Sequence, residues 1–80
     1  MNPTLANDII RAYQAAKKKH PYFCEGDFHK AISLATEELG ETAQALNDGK
    51  ILEVRKEALD TIAVLARLVQ LIDDLEGDIA

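Results

Sequence analysis

The feature that most constrains the fold of this chain is the turn signal Asn47-Asp48-Gly49, which separates two long stretches of helical periodicity. Asparagine and glycine readily take the left-handed backbone conformation with which many helices end. The flanking stretches predict a second helix over residues 27–47 and a third over residues 50–75, ending near Gly77. Two helices joined by so short a turn fold back antiparallel, so the sequence predicts a helical hairpin.

A flanking helix is predicted ahead of the hairpin. Asn2 can cap it, and Pro3 occupies the first helical position, where its missing N–H is not needed. The run Lys17-Lys18-Lys19 suits the negative end of a helix dipole, and the residue before Pro21 disfavours helix. The first helix is therefore expected to end at the lysine run.

The whole chain, residues 1–80, is predicted to be a single all-α domain. A loop over residues 20–26 joins the flanking helix to Asp27, which can cap the second helix. From Ala58 to Ile72 the third helix is apolar on nearly all sides, and two companion helices cannot surround it. We therefore expect a homodimer or homotetramer, in which oligomerisation completes a four-helix-bundle-type core.

Composition and charge argue against several classes of function. A net charge of −5 disfavours binding to a nucleic-acid polymer, which needs a basic face. The apolar stretch of the third helix is too short to span a bilayer and contains Asp60 and Arg67. Cys24 is the only cysteine, and the N-terminus lacks the features of a signal peptide. The sequence therefore predicts a cytoplasmic protein with no membrane partner.

Acidic residues occur where an amphipathic helix would carry apolar ones. Successive residues of a helix are rotated by about 100°. At this spacing Glu38 projects into the broad apolar face of the second helix, and Glu57 projects into the apolar face of the third helix. Glu41 lies at the edge of its face, and Asp60 lies beside Glu57. A run of charges is usually only a solvated surface. That interpretation fits Glu37, which lies further towards solvent, but it fits Glu38 and Glu57 poorly.

The turn brings these acids to matching heights along the hairpin. Glu41 and Glu57 are equally far in sequence from Gly49, and so are Glu38 and Asp60, which places both pairs roughly 12–16 Å from the turn. Four repelling carboxylates need neutralisation, by protons or, at neutral pH, by a divalent cation. Ligands that are all oxygens favour Mg²⁺, Mn²⁺ or Ca²⁺, and an open site suits Mg²⁺ that also binds substrate phosphates.

These acids resemble the signature of the MazG-like family of all-α nucleotide pyrophosphohydrolases. The signature consists of two adjacent glutamates, a third glutamate three positions on, and then a Glu-x-x-Asp after a spacer. Glu37, Glu38 and Glu41 match the first part, and Glu57 and Asp60 match the second. The resemblance covers roughly residues 27–75.

The resemblance implies hydrolysis of a nucleoside triphosphate, or a deoxynucleoside triphosphate, to monophosphate and pyrophosphate. It implies Mg²⁺, or Mn²⁺, as the cofactor, held by four residues: Glu38, Glu41, Glu57 and Asp60. It also implies catalytic roles for Glu37 and Glu38, with Glu37 binding a further metal or orienting the attacking water.

Four other residues are weaker candidates for substrate binding. Arg67 could bind a β or γ phosphate, and Lys19 could contact phosphate, although each also suits an ordinary structural role on a helix. Tyr22 and Phe23 could stack on a base, or they could plug the end of the hairpin.

Three alternatives stay open at this point. Within the enzyme interpretation, phosphoribosyl-ATP pyrophosphohydrolase has a similar hairpin and a similar spacing of acids. A non-catalytic helical dimerisation or interaction module would carry the acids only as surface charge. A degenerate relative would bind nucleotide without hydrolysing it.

Overall fold

The computed structural model describes residues 1–79, which form three helices and two short connections. The helices are α1 (Pro3–Lys19), α2 (Phe28–Asn47) and α3 (Ile51–Ile79). No strand occurs within this described range, so the all-α prediction is confirmed. The flanking helix and the two helices of the hairpin match the predicted order.

The end of α3 differs from the prediction. A stop near Gly77 was expected, but α3 continues through this glycine to Ile79. A glycine ends a helix where it adopts a left-handed φ, as Gly49 does at 72° in the turn between α2 and α3. Gly77 does not adopt a positive φ. Within residues 1–79, no helix combines the length and apolar character needed to cross a membrane.

Side-chain caps fix the starts of α1 and α2. The Asn2 side chain accepts a hydrogen bond of 2.7 Å from the backbone N–H of Leu5. Asp27 Oδ1 accepts hydrogen bonds from the backbone N–H groups two and three residues on, at 2.8 and 3.2 Å. These bonds satisfy N–H groups that have no partner within the helix. Both predicted N-caps are confirmed.

The connection between α1 and α2 contains backbone geometry that the sequence did not predict. The segment Phe23–Gly26 forms a short 3₁₀-like turn in which Cys24, Glu25 and Gly26 have φ values of 49°, 55° and 76°. The left-handed conformation costs a residue with a side chain about 1–2 kcal/mol. An exposed salt bridge of 3.2 Å joins Lys30 of α2 to Glu25 in this turn.

The helices pack through small side chains. α2 lies antiparallel to α3 after the Gly49 turn, and α1 packs on α3. Asp8 on α1 pairs with Arg55 near the start of α3, and Arg67 in the middle of α3 donates a hydrogen bond to the carbonyl of Ala16 near the end of α1. α1 therefore runs parallel to α3. The buried hydrophobic residues are Ala31, Ala35, Ala45, Ala63 and Val64. The small size of these side chains lets the helix backbones approach closely.

We predict that Asp27→Ala lowers the free energy of unfolding by about 1 kcal/mol, because two backbone N–H groups of α2 lose their acceptor. Asp27→Asn keeps an acceptor oxygen and should stay within a few tenths of a kcal/mol of wild type. Urea unfolding at one fixed protein concentration measures both changes. Equal losses in the two variants would show that the charge of Asp27, rather than its capping geometry, stabilises the fold.

Candidate metal centre

Three glutamates from the two helices of the hairpin meet near the turn. Glu38 and Glu41 on α2 and Glu57 on α3 each place one carboxylate oxygen within 4.8 Å of the other two. Glu38 and Glu57 are half-buried, and Glu41 is exposed. We call this group the acidic cluster. It combines members of both acidic sets that the sequence predicts to face each other.

Asp60, the fourth predicted ligand, lies beside the acidic cluster. Its carboxylate is 3.5 Å from the Nζ atom of Lys56, which is also 3.8 Å from Glu57 Oε1. The negative charge of Asp60 nonetheless contributes to raising the pKa of Glu38. Lys56 was not among the residues predicted for the site, although its position four residues before Asp60 is a recognisable helical pairing.

Glu37 lies outside the acidic cluster. It is exposed on α2, consistent with its predicted position towards solvent. Its negative charge contributes to raising the pKa of Glu41. The structure therefore brings Glu37 within electrostatic range of the cluster without adding a fourth carboxylate to it.

Two carboxylates of the cluster, those of Glu38 and Glu41, have raised pKa values and hold protons more tightly than isolated ones do. The pKa of Glu38 is raised first by partial burial and then by the charges of Glu41 and Glu57. The pKa of Glu41 is raised first by a hydrogen bond to Glu57, to which protonated Glu41 donates. The Lys56 ammonium opposes the shift at Glu41, and its own pKa is raised by Asp60 and Glu57. A divalent cation would compete with protons for these oxygens.

The donor set fits a hard divalent cation. All three groups are carboxylates, which are preferred by Mg²⁺ and Mn²⁺. Neighbouring oxygens on one octahedral Mg²⁺ at about 2.1 Å lie about 3.0 Å apart, so oxygens that are up to 4.8 Å apart would approach one another by at most about 1.8 Å on binding. Because Glu41 is exposed, one side of the cluster remains accessible to water and to a phosphate oxygen.

A cleft of about 370 Å³ lies between α1 and the hairpin and includes one member of the acidic cluster. Glu38 and Asp60 line it, as do the cationic Lys19 and Lys56 and the imidazole of His20. The rest of the lining consists of small or aliphatic residues: Ala12, Ala15, Ala16, Leu34, Ala63 and Val64. The volume is within the range of small-molecule pockets, about 300–1,000 Å³.

The other three predicted substrate residues lie in a separate groove of about 590 Å³ near the C-terminal end of α1. Arg67 is only 8% exposed; its guanidinium lies 4.6 Å from the centre of the Phe23 ring and donates a hydrogen bond of 3.0 Å to the Ala16 carbonyl. Tyr22 is exposed at the edge of this groove. The structure thus groups Lys19 with the acids and separates it from Arg67, Tyr22 and Phe23.

Comparison of the chain with protein-family models, with curated proteins and with solved structures gave no match. The MazG-like resemblance therefore rests on the acidic motif of the sequence. Membership of that family stays a prediction.

We predict that Glu38→Gln stabilises the metal-free protein. The substitution keeps the shape of the side chain and removes a charge that is repelled by three neighbouring carboxylates. At about 0.2–0.5 kcal/mol for each like-charge pair, the free energy of unfolding should rise by roughly 0.5–1.5 kcal/mol in EDTA. Urea unfolding measures this change. Glu53→Gln is the matched control: it also removes one negative charge, but from the first turn of α3, where the helix dipole favours an acid.

Added Mg²⁺ should reverse this ranking. The wild type gains metal-binding free energy that Glu38→Gln largely loses, so its melting temperature should rise more. Glu53→Gln should respond to Mg²⁺ as the wild type does. If Glu38→Gln is clearly less stable than wild type even in EDTA, then Glu38 is a structural residue and the metal-site argument fails.

We also predict that the advantage of Glu38→Gln in EDTA disappears at low pH. The pKa values of Glu38 and Glu41 are raised in the folded chain, so the folded state binds more protons than the unfolded state does. Protonated Glu38 and Glu41 therefore contribute fully to the free energy of unfolding below the ordinary carboxyl pKa of about 4.3. This contribution is lost as the pH rises through the raised pKa values of the two groups in the folded chain. The difference between wild type and variant should narrow from pH 7 to about pH 4. A difference that stays constant with pH would contradict the clustering.

Proposed function

We propose that this protein is a Mg²⁺-dependent hydrolase that converts a nucleoside or deoxynucleoside triphosphate to monophosphate and pyrophosphate. The observation that carries the proposal is the acidic cluster, which is formed by residues of both α2 and α3. One of its members, Glu38, also lines a cleft large enough for a ligand. A fold tolerates such repulsion when a function needs it, because residues that serve activity often reduce stability.

Bound Mg²⁺, or Mn²⁺, would neutralise charge on the substrate and polarise a phosphoryl group. In this proposal Glu38, Glu41 and Glu57 hold the ion. Asp60 would join them by exchanging its contact with Lys56 for one with the ion, and Lys56 would then be free to contact a phosphate. Glu37 orients the attacking water or binds a further metal, a role suggested by the family resemblance.

The cleft supports a substrate with an anionic part and a flat, less polar part. Lys19 and His20 lie at the α1 side of the cleft and can donate hydrogen bonds to phosphate oxygens. Alanine side chains leave room for a sugar or a base beside Glu38. The groove that contains Arg67 is larger, but it includes no member of the acidic cluster. We therefore assign the phosphates to the smaller cleft. Tyr22 and Phe23 would meet only a substrate that extends beyond the end of α1.

The acting unit in this proposal is a cytoplasmic homodimer or homotetramer with a four-helix core. Several large apolar side chains of α3 remain exposed in a single chain, among them Ile62, Leu65 and Val69. Association would remove them from water and stabilise the chains that carry the repelling acids.

The same exposed residues also favour a second candidate, a non-catalytic helical interaction module. In that case the acids are surface charge only. Mg²⁺ would not change the melting temperature, and neutralising Glu38 or Glu57 would not impair the function.

We predict that incubation with nucleoside triphosphates and Mg²⁺ yields monophosphate and pyrophosphate. Glu57→Gln should lower the rate by about 100-fold or more, because it removes a ligand of the metal that stabilises the transition state. Glu53→Gln should retain wild-type activity. Chromatography of the products over a panel of triphosphates, including phosphoribosyl-ATP, measures both outcomes.

The products also separate the alternatives. Diphosphate and phosphate as the main products would exclude the pyrophosphohydrolase assignment while leaving a metal-dependent hydrolase. Stabilisation by nucleotide and Mg²⁺ without any turnover would identify a nucleotide-binding protein that has lost hydrolysis. No response to either would favour the interaction module.

A further inference from the structure

The groove near the C-terminal end of α1 contains a buried charge that no acid of the fold neutralises. Among residues 1–77, Arg67 is the one charged residue that is buried, and it lines this groove. No carboxylate in the same range lies within 4.0 Å of its guanidinium. Arginines are almost never fully buried without a partner, because removing a charge from water is costly. The positions around Arg67 therefore suit an anion that the chain itself does not supply.

The guanidinium of Arg67 keeps hydrogen-bond donors that face solvent. It carries five N–H groups, and its hydrogen bond within the fold runs from Nη1 to the Ala16 carbonyl at 3.0 Å. Every fully buried side-chain nitrogen or oxygen of residues 1–77 has a hydrogen-bond partner. The guanidinium nitrogens that lack one are therefore not fully buried, and the groove is the open space that Arg67 lines. A ligand in the groove can accept from them.

Two cations of the groove lie over aromatic rings instead of beside acids. The guanidinium of Arg67 is 4.6 Å from the centre of the Phe23 ring, and Nζ of Lys17 is 5.3 Å from the centre of the Tyr13 ring. Within residues 1–77, Lys17 also has no carboxylate within 4.0 Å. The rings hold the two positive charges in place without cancelling them.

Two acids also line the groove, and one of them is already neutralised. Glu25 forms a salt bridge of 3.2 Å with Lys30, which lies outside the groove. Asp74 accepts a hydrogen bond of 2.8 Å from the neutral amide of Gln70, so its charge remains. The two cations and this one remaining carboxylate leave the groove with a net charge of +1. A ligand with a single negative charge would balance it.

The shape and lining of the groove suit a small planar ligand. Its volume of about 590 Å³ is within the range of small-molecule pockets, about 300–1,000 Å³. Tyr22 lies at its edge and is 88% exposed, so its ring can stack on a planar group. A carboxylate matches the planar fork of a guanidinium and can accept two parallel hydrogen bonds from it.

We propose that this groove binds a small aromatic monocarboxylate, whose carboxylate is held by Arg67 and whose ring stacks on Tyr22. The groove shares no lining residue with the cleft that contains Glu38 and Asp60. Binding here needs neither the metal nor a triphosphate, so this site stands or fails independently of the hydrolase proposal.

Titration of ¹⁵N-labelled protein with benzoate at millimolar concentration, in metal-free buffer, tests the site. The NMR signals of the Arg67 Nε–H and of the backbone amides of residues 22–26 should shift saturably. The Arg55 Nε–H should not, because Arg55 pairs with Asp8 outside the groove. Benzamide has the same shape without the charge and should bind at least about tenfold more weakly than benzoate. Phenyl phosphate carries about one further negative charge and should also bind more weakly, since Asp74 repels it.

Two substitutions of arginine by glutamine separate the groove from the total charge of the protein. Arg67→Gln should weaken benzoate binding by at least about tenfold, because a charged donor is lost. Arg11→Gln is the matched control: it removes the same charge from a different groove and should keep the wild-type affinity.

Three results overturn the proposal: no saturable shift with benzoate, equal binding of benzamide and benzoate, or wild-type affinity in a folded Arg67→Gln. Tighter binding of phenyl phosphate than of benzoate overturns the assignment to carboxylates. If circular dichroism shows Arg67→Gln unfolded, the wild type decides. A saturable shift of its Arg67 Nε–H with benzoate that benzamide does not produce then supports the site, and the lack of one overturns it.

Discussion

The hairpin must accommodate the repulsion among the carboxylates near its turn, because the same helix register that brings them together also forms the core. The left-handed Gly49 sets the register of α2 against α3, and that register brings a carboxylate oxygen of Glu57 within 4.8 Å of those of Glu38 and Glu41. The same register buries Ala35 on α2 and Val64 on α3. Sliding the helices to separate the acids would therefore also unpack the core. The fold cannot relieve the repulsion by moving backbone, and Lys56 offsets only part of it, so protons or a bound cation must relieve the rest.

The small buried residues explain why the helices approach closely. They also explain why the core of one chain contributes little to its stability. Four of the five buried hydrophobic residues are alanines, each of which removes little apolar surface from water. Larger side chains such as Ile32, Leu39 and Leu65 remain exposed. A domain of this size rarely obtains more than about 3–5 kcal/mol from its own core. Part of the hydrophobic stabilisation available to this sequence is therefore still unused in a single chain.

Local signals in the sequence predicted the elements well, whereas features that depend on distant contacts were missed. Asn2 and Asp27 act on the next few residues, and Gly49 acts within its own turn, so each was predictable. The position of Arg67 beneath Phe23 depends on how the 20–26 loop folds, and nothing local fixes the left-handed Cys24 and Glu25. On α2, the large apolar residues suggest one packing face, but Ala31 and Ala35 are buried because small side chains allow closer contact. The proximity of the three glutamates followed from the turn and helical rise alone, whereas Lys56, as partner of Asp60, was missed.

The acidic side and the exposed apolar side of the hairpin both affect the free energy of unfolding. This shared effect explains, without reference to any family, how the fold can tolerate the acidic cluster. The repulsion between Glu38 and its three neighbouring carboxylates costs roughly 0.5–1.5 kcal/mol in the absence of metal, which is a sizeable part of what a small core supplies. Burying about 100 Å² of apolar surface contributes about 2.5 kcal/mol before the entropic cost of association. Ile32, Leu39 and Val69 are each at least half exposed and could contribute to such an interface. An interface on one side can therefore offset destabilising charge on the other. Glu38 and Asp60 line the cleft beneath α1, whereas Ile32, Leu39 and Leu65 do not. Association through those apolar residues therefore need not cover these two acids.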